Sequence, residues 1–430
     1  MSPTRPAAPF PDLVEESLDE ATFLWGRWEH ELTSLTRTLD DVVSWTEDRL
    51  HGAIDGVRVG GGVSDVVMNG LLSAEPARVA VCTAVLSTSA EPVAINTLVD
   101  ALRTAEGARL HAMIRGLELQ GSDQALRTAA STLATGGPVH AGALCRLKAF
   151  RRVAPGAELV AAVKSDSPDA QIEAVRAAVY APSRHAEQLT TAALRSGNPQ
   201  VRLAAVESGI AGGITQAWDV ARRMAGRRGP ETGAYLRLMA LLGGPGEHET
   251  IYQALRIENL QVPAIWAIGH VGTVRAVETC LAGMKHEPLA RACGEAYCWI
   301  TGADLARDRL ALEETPPDAP PFEEDDLEAN LVPAPEALWP LPDPEAMARD
   351  WQARAARFTP DVRYVHGQPA GRDTLAAIVE RAPMLRRPDI VLELRARTHG
   401  QYDVETRAFA ARQREMMAAS RAALITHDGH

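Results

Sequence analysis

A phrase that repeats constrains this chain more than any other feature. NPQVRLAAVESG, beginning at Asn198, recurs with drift. Aligned on Val201, it is matched at Ile172 in DAQIEAVRAA, Tyr235 in TGAYLRLMALLGG, Val262 in LQVPAIWAIGH and Leu289 in EPLARACGEAYCW. The spacings are 29, 34, 27 and 27 residues, in the range of helix-pair repeats. Fainter copies surround Val79 and Val139, with a further one near Leu110. Each copy reads as an alanine-rich apolar helix, a Gly-containing turn and a second amphipathic helix, such as AEQLTTAALRSGN, HETIYQALRIEN or VRAVETCLAGMKHE. A pair this short cannot bury its own apolar face, so neighbouring pairs must stack and share one core. The expectation is an all-α fold: an α-solenoid of HEAT-like helix pairs over residues 71–308, with the five aligned residues in equivalent buried positions. Composition agrees, because 46% of the chain is hydrophobic but only 5% is aromatic. Alanine and leucine suit close-packed helices better than sheets.

The flanks complete the layout. Residues 12–30 form an amphipathic helix anchored by Leu13, Phe23, Leu24 and Trp28, and Val43, Leu50, Ile54 and Val57 share one face of a second helix. Residues 1–70 thus make an N-terminal helical cap over the first apolar face. From Leu310 to Ala348 there are eleven acidic residues, nine prolines and no Lys or Arg. This acidic Pro-rich linker, 309–345, cannot continue a helix and repels itself; Phe322, Leu327, Leu331 and Trp339 are its candidate anchor points. The net charge of −12 comes almost wholly from it, since removing it leaves 44 basic against 45 acidic residues. Asp343-Pro344 is an N-cap followed by N1 and starts a small C-terminal, mostly helical module, 346–430, in which RYVHGQPAG is extended and RDTLAAIVERAP and RPDIVLELRART form a helical pair. The N-terminus has no basic segment followed by an apolar run, and nowhere do eighteen apolar residues follow one another, so a cytoplasmic protein is expected.

AIGHVG, with a histidine between glycines and behind Trp266, invites a catalytic reading. The repeat gives another: eight residues past each anchor stand Gly209, Gly243 and His270, which makes His270 the occupant of a helix-ending slot where a left-handed backbone is tolerated. On that reading a glycine at position 270 is accepted. Gly243, Gly244 and Gly246 lose their likeness to a phosphate loop for the same reason. His248-Glu249 lacks a second histidine, His51 is a lone ligand, and Gly60-Gly61-Gly62 follows a helix rather than a strand. No serine sits in a nucleophile elbow. Cys82, Cys145, Cys280, Cys293 and Cys298 are scattered and flanked by apolar residues, as buried thiols are, and Cys293-x4-Cys298 without a second pair does not make a zinc site. No metal, cofactor or catalytic residue is expected.

Binding is the natural use of stacked helix pairs. The second helices contribute Trp218, Arg222, Arg223, Tyr252, Arg256, Arg275 and Glu278, and Trp, Tyr and Arg are the types enriched at protein-binding hot spots. The competing structural reading makes Trp218 and Tyr252 core and the arginines a solvated face. Two rivals stand beside a protein partner. Nucleic acid is suggested by Lys148, Arg151 and Arg152 and by Arg222, Arg223, Arg227 and Arg228, although these clusters are short and the rest of the chain is neutral. An enzyme of the HEAT-like lyase type is the other, since fold does not decide function; a pocket with buried ionisable groups would favour it.

EATFLW at Glu20–Trp25, RLHGAIDGVRVGG at Arg49–Gly61, AIGHVG, GEAYCWITGADL at Gly294–Leu305, and the tail WPLPDPEAMARDWQARAARFTPDVRYVHGQP followed by ETRAFAARQ together resemble a family of bacterial HEAT-repeat proteins met in gene neighbourhoods of type VI secretion systems. The resemblance runs nearly end to end and is most specific in the flanks. It implies the solenoid fold and an association with type VI secretion as effector adaptor, immunity factor or assembly component. It carries no catalytic residues.

Overall fold

The structure, a computed structural model, describes residues 11–313 and 339–427. The body of the acidic linker, with Phe322, Leu327 and Leu331, lies outside the described residues. The fold is all-α, of stacked helix pairs. The chain divides into two compact units: unit 1 runs to Trp218 and resumes at Val379, and unit 2 is Asp219–Ile378.

Unit 1 opens with the cap: α1 (Pro11–Glu31), α2 (Leu39–Val42), a π-helical stretch Val43–Glu47, α3 (Asp48–Gly61) and α4 (Asp65–Gly70). On α1 the buried hydrophobic residues are Val14, Leu18, Ala21, Leu24, Trp25 and Trp28, a stripe in steps of three and four that faces α3 and the first repeat helix. Leu24 and Trp28 hold their expected places. Leu13 and Phe23 do not: they are 56% and 65% exposed, because they fall off the stripe. Leu50, Ile54 and Val57 are fully buried on α3, and Val43 is half-buried.

The repeats follow as α5 (Pro76–Ser87), α6 (Pro92–Arg103), α7 (Gly107–Gln120), α8 (Asp123–Thr135), α9 (Pro138–Phe150), α10 (Glu158–Val163), α11 (Pro168–Ala178), α12 (Ser183–Ala193), α13 (Pro199–Ala211) and α14 (Thr215–Ala225). Proline at the start of α5, α6, α9, α11 and α13 fits a position whose N–H has no partner within the helix. The first helices α5, α7, α9, α11 and α13 stack in that order. Their spacing is set by missing side chains: a Cβ at Gly116 on α7 would stand 2.5 Å from the Ala80 carbonyl of α5.

Unit 2 continues with α15 (Thr232–Leu242), α16 (Pro245–Ala254), α17 (Gln261–Val271), α18 (Val274–Gly283) and α19 (Glu287–Thr301), with α15, α17 and α19 stacked. Past the linker come α20 (Pro344–Arg354), a two-stranded hairpin of β1 (Tyr364–Val365) and β2 (Gln368–Pro369), and α21 (Arg372–Ile378). Asp343 caps α20 as expected, its Oδ1 accepting from the N–H of Glu345 at 2.9 Å and of Ala346 at 3.2 Å. The hairpin is fixed to the ends of α17 and α19. Tyr364 N–H donates to the Gly272 carbonyl, His366 N–H to that of Trp299 and Gly367 N–H to that of Ile300, each at 2.8 Å.

The chain then returns to unit 1 through α22 (Arg387–Arg397), which packs on α13, and α23 (Ala410–His427). The segment expected as one C-terminal module is therefore split: 346–378 belongs to unit 2 and 379–430 to unit 1. The reason is packing. Phe409 sits 4.8 Å from the Trp28 ring and 4.5 Å from His51, and Ala410 N–H donates to Glu47 Oε1 at 2.8 Å.

The five aligned residues all lie on first helices, α11, α13, α15, α17 and α19. Val201 and Tyr235 are buried, but Ile172, Val262 and Leu289 are only half-buried, so full equivalence fails. Residues further along each helix carry the core there, such as Ala174, Ala177 and Ala178 on α11 and Ala264, Ile265 and Ile268 on α17.

Candidate functional site

His270 does not occupy the slot predicted. It lies inside α17 and is 1% exposed, its ring 6.1 Å from both Trp266 and Trp299 in edge-on contact. The left-handed cap of α17 is Gly272, with φ +65°. The aligned positions also differ from one another: Gly209 is within α13, where a Cβ would press on Ala217, and Gly243 caps α15 in an extended conformation. The expectation that glycine fits at 270 loses its premise.

The seven predicted contact residues lie on α14, α16 and α18 or directly beyond their ends. In unit 1, Trp218 is half-buried. In unit 2, Arg222, Arg223, Arg256, Arg275 and Glu278 are exposed and Tyr252 is half-buried. Arg222 donates to Asp219 at 2.6 Å and stands 3.8 Å from Glu247 of α16. Arg275 of α18 donates to Glu249 of α16 at 2.8 Å and lies 3.8 Å over the Tyr252 ring. Successive second helices are thus tied by a charged ladder with a stacked aromatic, whereas Arg223, Arg256 and Glu278 have no ion pair or side-chain hydrogen bond among the described residues.

Sequence reasoning missed a second locus, in unit 1. Glu118 of α7 is 1% exposed and is gripped by Arg146 of α9 at 2.7 and 3.1 Å and by Arg115 at 3.3 Å, with Arg407 3.7 Å away. Burial alone would raise its pKa, but Arg146, Arg407 and Arg115 outweigh it and hold the carboxyl below its ordinary value. Nearby, Arg152 forks onto Asp403 at 3.1 and 3.1 Å and reaches Glu405 at 3.0 Å. Tyr180 donates to Asp403 at 2.9 Å, and burial pushes its pKa up to about 12. Arg152 has φ +57°, a strained backbone that this network holds in place. A cleft of about 340 Å³ opens over these groups, lined also by Glu173, Glu207 and Arg395. The only signal in the sequence was the charge of KAFRR and DVETR, which meet across some 250 residues.

This cleft is a buried ionisable cluster, the feature named above as favouring an enzyme. Two of its carboxylates are already engaged. Both oxygens of Glu118 and both of Asp403 are occupied by guanidiniums or a phenol, so neither is placed as a general base. Among the described residues no group of three His, Cys, Asp or Glu side chains could hold a metal ion. One basic cluster of the nucleic-acid reading is also turned inward: Lys148 pairs with Glu158 at 2.6 Å, Arg151 donates to the carbonyls of Leu117 and Gly121, and Arg152 is engaged as above. Cys82, Cys145, Cys280 and Cys293 are buried and Cys298 half-buried, all as free thiols, and burial pushes Cys82 and Cys145 up to about 12. No described helix is long and apolar enough to cross a membrane.

No family model matches the chain, and no curated protein matches it. Among solved structures, the crystal structure of an engineered protein matches 66% of this chain and 92% of its own at 16% identity with a TM-score of 0.28, a superposition too loose to bear on fold or function.

Proposed function

We propose that the protein is a non-catalytic, cytoplasmic protein-binding scaffold or adaptor that engages its partner through second-helix residues. The observation that carries this is the outer side of α14, α16 and α18 in unit 2, where a stacked Tyr252–Arg275 pair stands among exposed arginines, two of which, Arg223 and Arg256, make no ion pair or side-chain hydrogen bond among the described residues. Aromatic and guanidinium groups held in place by their neighbours lose little entropy on binding. On the resemblance alone, the partner is proposed to be a component of type VI secretion. The test is to immobilise the wild type, Tyr252→Ala and Arg256→Ala, and to compare melting with partner capture from the native host by quantitative mass spectrometry. The expected outcome is a loss of about 2 kcal/mol or more in affinity, roughly thirtyfold in dissociation constant, with the melting midpoint nearly unchanged. A large drop in melting with no selective loss of capture would show Tyr252 to be core and remove the proposed surface.

A further inference from the structure

Among the described residues, Arg146 lines three cavities on unit 1. The first is the charged cleft over Tyr180. The second, of about 360 Å³, has walls from α1, α5, α7 and α9, and Arg407 lines it as well. The third, of about 460 Å³, lies at the starts of α7, α9 and α11.

The second cavity is chemically two-sided. One side is small and apolar, made of Ala77, Ala80, Ala108 and Ala112 with Trp25. The other carries three guanidiniums, Arg115, Arg146 and Arg407. The carboxylates paired with these cations are Glu29 and Glu118, with Glu405 and Glu173 acting on Arg407 and Arg146 from farther off; of these four only Glu29 lines the cavity, against three guanidiniums and His111 in the same wall. The donors of Arg115 are committed: Nε to Glu29 at 2.5 Å, Nη1 to Glu118 at 3.3 Å and Nη2 to the Arg407 carbonyl at 2.6 Å. Arg146 uses Nε and Nη2 on Glu118. The Arg407 guanidinium differs. Its side chain is 46% exposed, its approach to Glu118 is 3.7 Å, and it makes no hydrogen bond among the described residues. The contact that fixes this stretch of chain runs through the Arg407 backbone carbonyl, so the guanidinium is not needed to hold it.

We infer that this cavity binds a carboxylate carried next to an apolar group, the carboxylate taken by Arg407 and the remaining edge of Arg146 and the apolar group laid on the alanine wall beside Trp25. A guanidinium offers two parallel N–H donors matched to a carboxylate, and the volume lies in the range of small-ligand sites. Two sources present this chemistry, the C-terminal residue of a polypeptide and a free aliphatic acid. The site is separate from the second-helix surface, so failure of either leaves the other standing.

Titration calorimetry on the full chain tests it with N-acetyl-Ala-Leu as free acid, the same dipeptide as C-terminal amide, and hexanoate. The free acid is expected to bind at least tenfold more tightly than the amide, and Arg407→Met is expected to lose at least tenfold in affinity while remaining folded by circular dichroism. Tighter binding of the dipeptide than of hexanoate identifies a chain end as the source, and the reverse identifies a small organic acid. Equal affinity for acid and amide, no binding of either acid, or full affinity in Arg407→Met would overturn the inference. The acid–amide comparison uses the wild type alone, so it decides the matter even where the variant does not fold.

Discussion

At the residue scale, Glu118 shows how environment decides what a side chain does. It stands in a stretch, GLELQ, that reads as an ordinary amphipathic helix, and nothing there announces that Arg146 and Arg407 will converge on it. Because its pKa is held below the ordinary 4.5, the native state binds fewer protons than the unfolded chain just below pH 4.5. Its contribution to stability is therefore complete above that pH and is lost as pH falls through the folded value. Glu118→Gln is expected to flatten this acid limb in a melting-versus-pH series and to cost about 3 to 5 kcal/mol at neutral pH, since three guanidiniums lose their central counter-charge. An acid limb of unchanged slope in the variant would show that other carboxylates govern it. His270 is the converse case. The repeat pointed to a helix-ending slot, but counting from an anchor assumes helices of equal phase, and the left-handed cap of α17 falls two residues later, at Gly272.

At the element scale, the helices were legible because each carries its own start and its own apolar period: α1, α20 and the repeat helices appear where caps, prolines and spacing put them. What the flanking phrases do was not legible, since each is half of a contact whose other half is distant in sequence. AIGHVG and GEAYCWITG end the helices to which RYVHGQP docks, and EATFLW and RLHGAIDG supply Trp25 and His51 to the Phe409 of ETRAFAARQ. The hairpin itself has His366 at φ +48° and Gly367 at φ +74°, the mirror-image turn that joins two strands by two residues. Gly272 is the most constrained partner, combining φ +65° with a backbone contact to Tyr364 that leaves no room for a Cβ. Gly272→Ala is expected to lower stability by about 2 kcal/mol or more through strain and displacement of the hairpin, while Gly246→Ala, which meets nothing within 4 Å, leaves it within about 0.5 kcal/mol. Equal melting of the two variants would mean that the hairpin gives way freely.

At the scale of the whole molecule, the order of elements along the chain is not their order in space. A linear reading of the repeats makes the C-terminus a module of its own, because periodicity reports which face of a helix is apolar and never which distant face covers it. The structure instead returns residues 379–430 to the unit that contains the N-terminus. There they supply Phe409 to Trp25 and Trp28, the Ala410 N–H to buried Glu47, and Asp403 and Glu405 to Arg152. Burial raises the pKa of Glu47, and the Ala410 N–H is one of the hydrogen bonds that oppose this, so losing the segment strips one buried acid of a partner and leaves Arg152 without its counter-ions. Truncation after Ile378 is therefore expected to destabilise unit 1 selectively, with each uncovered aromatic contact alone costing about 3 kcal/mol or more on the scale of large core truncations. Hydrogen exchange read by mass spectrometry separates the units: protection should fall across residues 11–218, most in α1 and α3, and hold across α15, α17 and α19. Unchanged protection in α1 and α3 after truncation would show that the cap stands without the returning segment, and that Phe409 and its neighbours only decorate a unit already stable.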